Sequence, residues 1–268
     1  MIETATQMRH NLALAFDIGL EVPEFHLLRN KSEEEREQFT PAEWRIIDDV
    51  AFKRIKGFDV TCLMFWTREK FRFQTIVIND NKLLTGGQGM ELDYNCVTVF
   101  AGKIELGTQL NRLKKELIER EPDFRGFITL DLTLTEHKIY YRHISFKVKE
   151  AYFYAIEALA GQSIGTILGA LEADTPVEKP KGYGAALCLY EYPFNPVTNY
   201  PVENIVTHID MYDMPIVTGR GDKIKEAWDN VYKTIPDDVT YYNVCYRTDG
   251  DKLARDTAHF LFKHKKLI

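Results

Sequence analysis

Two side chains in the middle of the sequence could hold a metal ion or a polar ligand: Asp131 and His143. Asp131 interrupts the apolar run 126–135, where a carboxylate must find a partner. A second apolar run, 138–146, follows the turn Glu136-His137. The two runs read as a hairpin, which sets Asp131 against Tyr141 or His143. One reading makes Asp131 and His143 ligands of a metal ion or a polar molecule. The other pairs Asp131 with Arg142 or Lys147 and leaves His143 as a hydrogen-bonded sheet histidine. A carboxylate with an imidazole suits softer metals better than Mg²⁺, which takes hard oxygen ligands. A further candidate is the loop 85–90, Thr-Gly-Gly-Gln-Gly-Met, with Lys82 just before it. It reads either as an anion-binding nest of backbone N–H groups or as a turn between strands. Glycines supply positive φ in both cases, so composition leaves the choice open.

The elements that must position these residues are mixed. Helical spacing predicts helices over 4–18, 107–120, 150–160, 163–172, 223–235 and 251–265. The charged run 32–39 reads as a solvated helix or loop, and 41–55 as helical at its start, with Pro41 in the first turn. Runs rich in β-branched and aromatic residues predict strands over 59–66 and 71–78, joined by Arg68-Glu69-Lys70, and over 96–100, 185–190, 205–212 and 240–246. The stretch 175–184 is the best linker. The expected fold class is therefore α+β, antiparallel hairpins backed by helices. Two domains are expected, 1–178 and 179–268.

Composition narrows the function. The chain has 268 residues, 45% hydrophobic and 28% charged, as in soluble globular proteins. Its net charge of -6 argues against a nucleic-acid binder, which needs a basic stripe. No stretch approaches the roughly 20 apolar residues that cross a bilayer. No apolar leader is visible near the N-terminus. Cys62, Cys96, Cys188 and Cys245 form no CxxC pair and read as reduced core thiols, which fits the cytoplasm. No Ser/His/Asp triad or Walker loop is visible. His10, His26, His208, His259 and His264 read as structural or exposed. Asp222 reads as a helix N-cap, and Arg247 with Asp249 as a structural turn pair.

Several motifs, in order over roughly 220 residues, resemble the ATP-grasp fold and, within it, phosphoribosylamine–glycine ligase. They begin with Asn11-Leu12-Ala13 and Gly19-Leu20-Glu21-Val22-Pro23. Next comes Lys56-Gly57-Phe58-Asp59-Val60, similar to a G-x-E-x-S strand. Asn81-Lys82 with Thr85-Gly86-Gly87-Gln88-Gly89-Met90 is similar to the family's lysine and T-G-G-M-G loop. Gly126-Phe127-Ile128 with Leu130-Asp131-Leu132 resembles the strand that leads into the metal site. Gly219-Arg220-Gly221-Asp222 with Glu226-Ala227 resembles a helix start, and Tyr246-Arg247-Thr248-Asp249-Gly250 the closing motif. The resemblance implies ATP and Mg²⁺ as cofactors, with Lys82, Gly86 and Gly87 toward the nucleotide and Asp131 and His143 toward the metal. It implies a reaction in which ATP phosphorylates a carboxylate and an amine displaces the phosphate.

Two departures weigh against that reaction. The family carries a lid of strands over the phosphates, where this chain has only the interval 29–50, so the lid is expected to be reduced or absent. The family also carries E-x-N on the second hairpin strand. Here Tyr141 takes the Glu position and His143 the Asn position, with Ser145 in place of an arginine. The expectation is a degenerate ATP-grasp-like protein that binds a small molecule or a protein partner over the lid-less cleft, with self-association a further expectation. One alternative is an active ATP-dependent carboxylate–amine ligase, with Glu150 or Asp93 as further metal ligands. Another is a structural or regulatory interaction protein.

Overall fold

The computed structural model describes residues 5–40, 42–47, 49–79, 96–146, 148, 150–188, 190–191, 195–196, 208–209, 215–235, 249–264 and 266. Helix α1 is Ala5–Asp17, and Gly19 ends it in the left-handed region at φ 78°. Strand β1 (Phe25–Leu27) and helix α2 (Glu33–Glu37) follow. Ser32 and Glu35 form a capping box at the start of α2: the Ser32 hydroxyl accepts from the Glu35 N–H, and the Glu35 carboxylate accepts from the Ser32 N–H. The helix expected at the start of 41–55 is instead a hairpin of β2 (Trp44–Ile47) and β3 (Val50–Lys53). β-Branched residues flank a turn in which Asp49 takes φ 63°, a conformation Asp tolerates better than most residues.

Strand β1, β3 and β2 form a three-stranded antiparallel sheet in that order. It fills the interval where the resembled family carries its lid. One face has its own small core of Leu28, Phe39 and Ala51 under Trp44. The other face sends Val50 and Phe52 into the main core, so the small sheet is packed down rather than projecting.

The main sheet follows: β4 (Phe58–Trp66), β5 (Phe71–Asn79), β6 (Cys96–Ala101), helix α3 (Thr108–Arg120), β7 (Gly126–Leu134) and β8 (Ile139–Ser145). Helices α4 (Glu150–Ala160) and α5 (Ile164–Glu172) come next. Strand β9 is Tyr183–Cys188, and β10 (Tyr190–Glu191) pairs with β11 (Asn195–Pro196) as a minor ribbon. Then come β12 (His208–Ile209), β13 (Pro215–Gly221), α6 (Ile224–Lys233) and α7 (Asp249–Lys263). Among the described residues the main sheet has eight strands in the order β12-β13-β9-β6-β5-β4-β7-β8, every neighbouring pair antiparallel. The mixed α+β class is as expected. The expected domain junction near 178 lies between α5 and β9, and strands from both sides of it share this sheet through the β6–β9 pairing.

Both faces of the sheet are covered, so most strand residues are apolar. Along β4, Val60, Cys62, Met64 and Trp66 enter a core that includes side chains of α1, α3, α6 and α7. Leu63 and Phe65 enter a second core with Ala155, Ile156 and Leu159 of α4 and Ile167 and Leu171 of α5. The period of two follows from the pleat.

Strand β13 escaped the sequence reading. Gly219 and Gly221 suggested a helix start, yet they lie in the strand that pairs with β9. Gly219 presses against the Ala227–Val231 turn of α6, and on the neighbouring strand Gly184 presses against the Ala155–Leu159 turn of α4. A Cβ at either position would collide with helix backbone. The expected N-cap role of Asp222 is also corrected. Lys223 occupies the cap with no side-chain cap bond, and the Asp222 N–H donates to the Glu226 carboxylate at 2.9 Å. Of the strand expected over 205–212, only β12 falls among the described residues, and 240–246 lies outside them.

The glycine contacts give a stability test. Gly184→Ala and Gly219→Ala each lower the stability seen in urea unfolding by about 1–3 kcal/mol, the usual cost of overpacking. An unchanged midpoint in both variants would mean that the helices do not approach the sheet this closely.

Candidate functional site

The candidate site lies on the face of β4, β7 and β8 that also carries Leu63 and Phe65. Toward the start of β4 this face turns polar: Phe65 and Leu63 are buried, Thr61 is buried, and Asp59 is exposed. Each polar residue of β4 meets a polar partner on β7, because Asp59 stands opposite Thr133 and Thr61 opposite Asp131. The Thr133 hydroxyl donates to one Asp59 oxygen at 2.6 Å. The Thr61 hydroxyl donates to one Asp131 oxygen in a short hydrogen bond. Cross-strand pairs of this kind hold a sheet face in register.

Strand β8 completes the group, and a bulge decides how. Asp131 pairs with His143, but Leu132 pairs with Tyr141, so Arg142 is an extra residue on β8. The insertion swaps faces between 141 and 143. His143 stays on the polar face, its Nδ1 3.9 Å from the second Asp131 oxygen. That separation is an ion pair only when the imidazole is protonated, and it is too long for a hydrogen bond. Arg142 reaches Asp59, Nη1 to Oδ2 3.0 Å. Tyr141 turns to the opposite face, wholly buried beside Leu132 and Leu134 in the larger core.

The outer edge of β8 is tied down by the N-terminal segment. The Tyr141 N–H donates to Glu21 O at 2.7 Å. The buried Asn11 amide of α1 donates to Ile144 O at 2.8 Å. Lys138 pairs with Glu21 at 3.1 Å. Beneath the cluster, on the other face, burial pushes the Cys62 thiol up to about 12, with the Asp131 charge adding to the shift. That cysteine is an inert core residue, as expected.

No protein-family model and no curated protein sequence matches the chain. Solved structures do. Phosphoribosylamine–glycine ligase of Thermotoga maritima superposes with a TM-score of 0.59 at 15% identity, over 83% of this chain and 73% of that one. A carboxyaminoimidazole ribonucleotide synthase of Aspergillus clavatus, crystallised with ATP, gives 0.57 at 13% over 87% and 72%. The phosphoribosylaminoimidazole carboxylase ATPase subunit of Aquifex aeolicus gives 0.56 at 13% over 86% and 70%. The fold is ATP-grasp-like. At such identities the likeness carries the architecture, and the chemistry has to be read from this chain's residues.

Within the ATP-grasp-like fold, Asp131 and His143 are brought together as expected. Tyr141 is not: the bulge removes it from their face. Arg142, expected beside Asp131, pairs with Asp59, while Asp131 is held by Thr61. Ser145 stands opposite Thr129. Lys82, Gly86, Gly87, Asp93, Lys147 and Arg247 lie outside the described residues, and no side-chain geometry is described for Glu150. Asp59, Thr61 and Thr133 were missed. Their signal was present as polar residues at alternate positions of two apolar strands.

The donor set among the described residues does not fit Mg²⁺. That ion needs near-octahedral oxygen coordination, commonly from carboxylates and substrate phosphates. Here one Asp131 oxygen accepts from Thr61, the facing residue is an imidazole, and the nearby guanidinium brings positive charge to the same face. Among the described residues no group of three or more His, Cys, Asp or Glu side chains is placed to hold a metal.

A double-mutant cycle measures how strongly the cluster is coupled. Thr61→Val with Asp131→Asn gives a coupling of about 1–3 kcal/mol in urea unfolding, as for a hydrogen bond to a charged acceptor. Additive effects would show that the two side chains do not share a bond.

Proposed function

We propose that the chain uses an ATP-grasp-like scaffold for binding and does not catalyse ligation. The observation that carries this reading is the bulge at Arg142. It turns position 141 into the core and brings a guanidinium to the face where the resembled family gathers metal ligands. A phosphoryl transfer needs the charge on the phosphates neutralised as the bond breaks. The described face offers one carboxylate already bonded to Thr61 and one bonded to Thr133 and Arg142. The small sheet of β1–β3 supports the same reading, since it is packed into the main core.

The retained cluster of Asp59, Asp131, Arg142 and His143 presents donors and acceptors side by side. It is matched to a polar small molecule carrying both, on a surface that a protein partner would complete. The fold's neighbour crystallised with ATP keeps the active-ligase reading in view, and titration separates the two. Calorimetric titration of the chain with ATP, with and without Mg²⁺, is expected to show no Mg²⁺-dependent binding. Micromolar binding that requires Mg²⁺ and is lost in Asp131→Asn would overturn the proposal in favour of a working ligase.

A further inference from the structure

We draw no further inference here: the strongest candidate, the partly exposed apolar surface patch made by Phe16 of α1 with Phe25 and Leu27 of β1, carries nothing because nothing among the described residues shows what covers it.

Discussion

A single extra residue in β8 determines what the central hairpin can do. Side chains alternate between the faces of a strand, so an insertion reverses the assignment of every residue beyond it. With Arg142 inserted, Asp131 still faces His143, while Tyr141 packs with Leu132 on the other side. The apolar side of the hairpin keeps a large buried ring. The polar side acquires an arginine, which Asp59 compensates. The same step fixes the hydrogen-bond pattern, in which Thr61 serves Asp131 and Thr133 serves Asp59.

The bulge can be so decisive because the sheet is buried on both faces. A strand in an open sheet can place a misfit residue in water. Here α4 and α5 cover one face, and the core shared with α1, α3, α6 and α7 covers the other. The polar cluster lies toward the start of β4, where Asp59 is exposed. At the far edge of the sheet the same demand appears as Gly184 and Gly219, which let helix backbone approach from opposite sides.

Much of this was legible in the residues. Long periodic runs such as β4, β5, β7 and α3 were read within a residue or two, because pattern and propensity agreed. The Asp131–His143 pair was legible too, since a carboxylate in an apolar strand has few places to go. The misreadings share a cause, which is tertiary contact overriding local preference. Strand β13 reads as a helix start because Gly219 and Gly221 answer to α6 and not to the strand. The hairpin of β2 and β3 looked helical behind Pro41, but Val50 and Phe52 are claimed by the core. The face of Tyr141 could not be read at all. Counting by twos along β8 places it beside His143, and only the pairing with β7 reveals the inserted residue.

The central claim is that position 141 points into the core and has left the polar face. The most direct measurement is the stability and Mg²⁺ affinity of the double variant Tyr141→Glu, His143→Asn, which restores the resembled family's residue types. Burial of position 141 predicts a loss of about 3 kcal/mol or more in urea unfolding, from an unpaired carboxylate in an apolar core and a lost ring, with no gain in Mg²⁺ binding. A variant as stable as the parent that binds Mg²⁺ through Glu at 141 would contradict it.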